Sequence, residues 1–155
     1  MFNIVLVEPE IPANTGNISR TCAITGTALH LIKPLGFSID DKHLKRAGLD
    51  YWHLLDLHVY ENLDEFLAQH GDKRMFLATP KSAQHYDEVE FQDGDFIVFG
   101  KETAGLPQRM HDLYPDTRVK IPMLDIEAAR SLNLSNSAAI ILYEALRQVG
   151  FLNLK

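Results

Sequence analysis

The stretch "FNIVLVEPEIPANTGNISRTCAITGTALHLIK", residues 2–33, sets the architecture. Its first run, 2–7, is apolar and β-branched with no polar alternation, so it reads as a strand with no wet face. Asn14 is suited to cap a helix over 15–25 and Gly26 to stop it. A second apolar run at 28–33 then reads as another strand. Strand, helix and strand in this order make a parallel pair with the helix across one face. The pattern continues with strands expected at 57–60, 74–78, 95–100 and 118–122. Helices are expected at about 40–47, 63–70, near 105–112, and 136–149 ahead of Gly150. The fold class is therefore α/β: a mostly parallel sheet with helices on both faces, as a single domain over 1–155. The segment 36–54 is the least regular, and it carries Trp52.

Composition narrows the function. The 155 residues are 46% hydrophobic, enough for a real core. No apolar run approaches the ~20 residues of a membrane span, and "MFNIVLV" lacks a basic leader region. A soluble, cytoplasmic protein without a membrane partner is expected. The single cysteine, Cys22, rules out an intrachain disulfide and fits a reducing compartment. The N-x-S triplets at Asn17 and Asn133 are then not glycosylation signals. A net charge of −6 argues against non-specific grip on nucleic acid, so any RNA contact must be local. The one clear basic cluster is Lys42, His43, Lys45 and Arg46, which also suits an ordinary solvated helix face.

Ligands of parallel sheets bind beyond the carboxyl ends of the strands, so the segments after the strands matter most. "EPEIPANTGNISR" after the first strand has no G-x-G-x-x-G dinucleotide turn. Gly16 and Arg20 are four apart on the helix, which leans a guanidinium back toward a helix start already suited to anions. In "FGKETAGLP", Gly100 and Gly105 bracket Glu102, allowing a sharp turn that presents one carboxylate. "RSLNLSNS" alternates leucines with small polar residues, a period of two that predicts an extended segment with Ser131, Asn133 and Ser135 on one side. Ser135 or Asn136 is expected to cap the last helix. The seven histidines are scattered without a pair at ligand spacing, and one cysteine makes no zinc site. Cys22 sits among apolar neighbours as a structural thiol, and no G-x-S-x-G elbow marks a serine hydrolase.

Together "NTGNISR", "FGKETAGLP" and "IPM…RSLNLSNSAAIILYEA" resemble the three signature motifs of the SPOUT methyltransferases, and within them the TrmH-like ribose 2′-O-methyltransferases. The likeness covers nearly the whole chain and, with "RAGLDYW", is greatest to the minimal members that act on the ribose of tRNA nucleotide 34. It implies S-adenosyl-L-methionine as methyl donor, a homodimer, and a trefoil knot in the C-terminal third, which chain-topology rules alone would not suggest. It implies a cofactor pocket from Ala78, Thr79, Gly100, Ile121 and Met123, closed by Ser131 and Leu132. It implies catalytic support from Arg20, Asn14, Glu102 and Asn133. The expected substrate is the anticodon stem-loop of tRNA, with cytidine or modified uridine at position 34 of leucine tRNAs, and no metal is needed. Ala104 stands where many relatives carry a larger polar residue, and the 124–130 loop varies, which bears on the substrate entrance. Rival readings are the same transfer on another tRNA position or on rRNA, a non-catalytic RNA-binding module, and a nucleotide-binding regulator.

Overall fold

The computed structural model describes residues 1–40, 42, 44, 46 and 49–155. Its strands are β1 (Asn3–Val7), β2 (Ala28–Ile32), β3 (Leu57–Tyr60), β4 (Met75–Ala78), β5 (Phe96–Phe99) and β6 (Arg118–Val119). They form one sheet in the order β3-β2-β1-β5-β4-β6, and every pair is parallel. The α-helices are α1 (Pro12–Thr25), α2 (Leu63–His70), α3 (Gln108–Leu113) and α4 (Leu134–Gln148), with a 3-10 helix at Leu49–Leu54 in the segment read as least regular. The strand order fits the knotted threading that the resemblance implies.

Strand alternation explains why both faces are buried. Along β1, Ile4 and Leu6 enter a core with Ile18 and Cys22 of α1 and Ile141, Leu142 and Ala145 of α4. Val5 and Val7 enter a second core with Phe66 of α2 and Met110 of α3. Each such side chain contributes about 1.5–3 kcal/mol on burial, so the sheet holds its helices from both sides. Burial also pushes the Cys22 thiol up, in keeping with a structural role.

Three boundaries differ from expectation for physical reasons. The first helix begins at Pro12 and not after Asn14; Ile11 is its N-cap and makes no side-chain cap bond. Proline tolerates this position because its missing amide hydrogen would be unpaired there anyway. The last helix begins at Leu134, because Asn133 is its cap and not Ser135 or Asn136. The extended segment expected over 131–136 therefore stops at 133. The third helix starts after Pro107, since Gly105, at φ 71, belongs to the preceding turn. Of the basic cluster, His43 and Lys45 lie outside the described residues, as does much of the helix expected at 40–47; Lys42 and Arg46 are exposed.

The chain runs outward from β1 to β3 and then returns to build β4 and β5 on the other side of β1. That reversal leaves a crevice beyond the carboxyl ends of β1 and β5, where doubly wound sheets bind ligands.

Candidate active site

Two loops meet at that crevice. The Glu102 carboxylate, from the turn after β5, accepts the backbone N–H of Glu10 at 2.9 Å and of Ile11 at 2.8 Å, and the Asn14 Nδ2 at 3.2 Å. α1 has no acid in its first turn and no cap of its own, so Glu102 supplies the negative charge and acceptors that its N-terminus lacks. The clasp is reciprocal. Glu10 accepts Thr103 N at 3.0 Å and Thr103 Oγ1 at 2.7 Å, and these bonds hold its carboxyl below the usual range. Lys101 Nζ stands 3.8 Å from Glu8, itself at φ 55.

The turn depends on Gly100. A Cβ there would lie 2.1 Å from the Gly105 carbonyl carbon and 2.2 Å from Leu106 N, so the glycine is required by the turn folding against itself. Gly105 N donates to Lys101 O at 2.9 Å and closes it.

A third segment joins through asparagines. Asn133 Nδ2 donates to Asn14 Oδ1 at 3.1 Å, while Asn133 Oδ1 accepts Ser135 N at 2.9 Å, Asn136 N at 3.2 Å and Ser135 Oγ at 2.6 Å. Glu102, Asn14 and Asn133 thus form one hydrogen-bonded relay that ties the β5 turn, the start of α1 and the start of α4 together. Ser135 turns to the cap, and Ser131 faces the cleft.

That cleft has two adjoining lobes. Ala78, Thr79, Ile121, Met123, Ser131 and Leu132 line the first with Val119 and Ile141, around a cavity of about 100 Å³. Asn14, Gly100, Glu102 and Asn133 line the second with Ile11 and Phe99. Pro80, Ser131, Leu132 and Ser137 are common to both. The first lobe suits S-adenosylmethionine. Apolar walls, with Met123 41% and Leu132 38% exposed, surround the hydroxyls of Thr79, Ser131 and Ser137, a donor set for a flat base and a ribose.

Arg20 is the exception among the expected residues. It lines neither lobe; it is exposed on α1 with its guanidinium 4.7 Å from the Tyr51 ring centre. Sequence reading missed Glu10, Thr103, Pro80, Ser137 and Tyr51. Thr103 stood inside the Gly100–Gly105 bracket and Ser137 at the end of the alternating stretch, while only the acid-rich "EPE" hinted at Glu10 and nothing marked Pro80 or Tyr51. It also missed a group on the 85–88 turn, where His85, Asp87 and Glu88 bring ligand atoms within 4.8 Å of one another. His85 and Glu88 already bond each other there, and the group lines neither lobe.

Loops from the ends of a parallel sheet thus converge on an apolar pocket beside a polar one. Over all of its length the chain superposes on 98% of a putative RNA methyltransferase from Bacillus anthracis, with TM-score 0.90 and 48% identity. It matches, with TM-score 0.89 and 41% identity over 96% of each chain, a structure described as giving insights into 2-OH methylation of C/U34 on tRNA. Residues 1–143 match the SpoU rRNA Methylase family, and the chain belongs to that family. It is 55% identical, over 97% of both chains, to the tRNA (cytidine(34)-2'-O)-methyltransferase of Methylovorus glucosotrophus. It is 47% identical to the protein of that name from Escherichia coli K12, over 97% of this chain and 96% of the other.

Proposed function

We propose that the protein methylates the ribose 2′-hydroxyl of nucleotide 34 in tRNA, using S-adenosyl-L-methionine, as a homodimer acting in the cytoplasm. The observation that carries the reading is the Glu102–Asn14–Asn133 relay in a lobe that shares the wall Ser131–Leu132 with the apolar lobe lined by Ala78, Thr79 and Ile121. The identities to proteins named for this reaction support it over the whole length, and no described helix is long and apolar enough to cross a membrane.

When bound, S-adenosylmethionine supplies a sulfonium methyl: the C–S bond breaks, the 2′-oxygen forms the new C–O bond, and the hydroxyl proton leaves to water or a phosphate oxygen. Ala78, Thr79, Gly100, Ile121, Met123, Ser131 and Leu132 hold the donor and exclude water. Glu102, Asn14 and Asn133 fix the three loops so that the ribose enters in line, and alignment of this kind is worth several kcal/mol of barrier. Arg20 holds the phosphate beside the reactive ribose and stabilises the developing alkoxide; a guanidinium, charged at every working pH, is poorly suited to be the base.

Arg20 performs this role in the partner's cleft. It lies outside its own cleft on a face where α1 exposes Ala13, Asn17 and Ile24 and α4 exposes Ile140 and Tyr143, and Ile24 and Tyr143 border one groove. Covering such a face with a second copy makes each site composite and gathers basic groups such as Lys42 and Arg46 from two copies for the anticodon stem-loop. The test is to incubate the purified protein with labelled S-adenosylmethionine and tRNA lacking the modification, then map the methylated nucleotide. Label at nucleotide 34 supports the reading; label elsewhere, or on rRNA only, overturns it.

A further inference from the structure

We propose that the β6 edge of the sheet is a second RNA-backbone surface, on which Lys81, Arg118, Lys120 and Arg130 hold phosphates of the strand entering the cleft. The proposal rests on the function proposed above and adds a contact area separate from the Lys42–Arg46 segment.

Clustering sets these residues apart. In a chain of net charge −6, five described cations meet carboxylates: Lys33 with Glu61 at 3.2 Å, Arg74 with Asp95 at 2.7 Å, Arg147 with Glu144 at 2.7 Å, Lys101 with Glu8 at 3.8 Å, and Arg109 with Asp64; Lys73 and Arg20 are among the unpaired ones elsewhere, but they stand apart from one another. Lys81, Arg118, Lys120 and Arg130 take part in no ion pair among the described residues. The two arginines are held by backbone instead. Arg118 Nε donates to Pro115 O at 3.2 Å and Arg130 Nε to Glu127 O at 3.0 Å, while their terminal nitrogens make no hydrogen bond among the described residues. A guanidinium fixed at Nε with its outer edge free is prepared for a phosphate, which accepts two parallel N–H bonds.

The four are neighbours by construction. β4 and β6 pair with Leu77 beside Arg118, and the chain after β4 continues along β6: Thr79 N donates to Val119 O, Ser82 Oγ to Arg118 O at 2.6 Å, and Lys120 N to Gln84 O. Lys81 lies within that stretch. Lys120 and Arg130 line the first lobe, which shares Ser131 and Leu132 with the second, so the positive strip runs from the sheet edge to the cleft.

His111 of α3 lies close to Lys81 and Arg118. It is 5% exposed and its Nδ1 has no partner. Burial first, then Lys81 and Arg118, hold it below the usual imidazole range against the opposing pull of Asp112, whose carboxylate takes the Gln108 amide at 3.0 Å.

The test measures tRNA binding to the full-length protein over a range of salt, without methyl donor. For Lys81→Gln with Arg118→Gln, affinity is expected to fall about tenfold at moderate salt, and the slope of log affinity against log salt to flatten by about one to two, one phosphate contact being worth roughly 0.7–0.9. S-adenosylhomocysteine binding should stay within about twofold, and Arg118→Lys should restore part of the slope. Should the double variant misfold, Lys81→Glu on the exposed loop gives the same reading. An unchanged slope overturns the proposal, as does an equal loss from Lys73→Gln, an isolated cation elsewhere. Wild-type protein that binds tRNA with this slope but labels no nucleotide 34 would refute the proposed function and leave the surface standing.

Discussion

Two polar networks lie on this sheet, and they are built to opposite specifications. At the carboxyl ends of β1 and β5, the Glu102 carboxylate accepts the amides of Glu10, Ile11 and Asn14 and is oriented beside an open cleft. On the α2 face, His30 is 2% exposed, its Nδ1 2.8 Å from Tyr60 Oη and its Nε2 3.0 Å from Asn3 Oδ1, and Tyr60 Oη is 3.0 Å from His70 Nε2. Asn3 Nδ2 is committed to Gly94 O, so its Oδ1 is the acceptor that His30 Nε2–H meets. His30 Nδ1 then accepts the Tyr60 O–H, and both ring nitrogens of His30 are satisfied with the imidazole neutral. The first network joins loops and serves chemistry; the second is sealed and serves the core. Burial alone does not mark a functional polar group. What distinguishes the two is whether charge is stabilised or excluded, and whether a cavity adjoins.

The largest effect expected comes from Gly100→Ala. Its Cβ meets backbone at 2.1 Å, the turn must move, and Glu102 moves with it. Turnover should fall by about 10²-fold or more, the scale for a displacement of about 1 Å at a site, while the histidine network and the far-ultraviolet dichroism persist. Loss of all folded protein would show that the two regions are not separable.

Next in size is the relay itself. Asn133→Ala removes both the α4 cap and the link to Asn14, and should cost about 1 kcal/mol of stability with a drop in turnover of about 10²-fold. S-adenosylhomocysteine should still bind by calorimetry. If turnover follows only the stability loss, the relay is a cap and nothing more.

The sealed network predicts acid sensitivity. Burial first, then His58 and His70, push His30 down to about 3 from an ordinary 6.5. His70 is lowered too, by burial, His58 and Lys73 against Asp72. A depressed imidazole means that the unfolded chain binds the proton more readily. Stability is intact above about pH 6.5 and falls as pH drops toward 3, by about 1.4 kcal/mol per pH unit for one such group. His30→Gln should flatten urea-unfolding free energies across that window by about one proton's slope. An unchanged slope would place the titration elsewhere.

The smallest effect belongs to the rim of the clasp. Thr103→Val keeps the backbone bond to Glu10 and loses the hydroxyl bond, so turnover should fall by no more than about three- to tenfold, the worth of one hydrogen bond. A loss as large as that of Asn133→Ala would move Glu10 and Thr103 from support into the catalytic arrangement.

The layered fold was legible because β1, β2 and β5 are apolar on both faces and are punctuated by Gly26, Gly100 and Gly150, signals that are local in sequence. The asparagines and Glu102 stood out through glycine-rich turns and through resemblance. Their partnerships did not, because Glu102 caps a helix 91 residues away and Asn133 reaches Asn14 across 119. No periodicity encodes a contact at that range. Local reading therefore assigned the α1 cap to Asn14, which is inside the first turn, and the α4 cap to Ser135 or Asn136, whose amides are donors to it. Helix geometry brought Arg20 toward the start of α1 beside Gly16 but could not say which copy's cleft it faces; it is exposed on α1 with its guanidinium over the Tyr51 ring.

That position makes subunit complementation the most direct measurement. Arg20→Ala and Asn133→Ala protomers, each inactive alone, are co-expressed with different tags, and the mixed dimers are assayed. If Arg20 serves the partner's cleft, a mixed dimer holds one site with both residues intact, and the statistical mixture recovers roughly a quarter of wild-type activity by two-fold symmetry. If Arg20 serves its own cleft, every site lacks one residue and mixing recovers nothing, which would contradict the composite site.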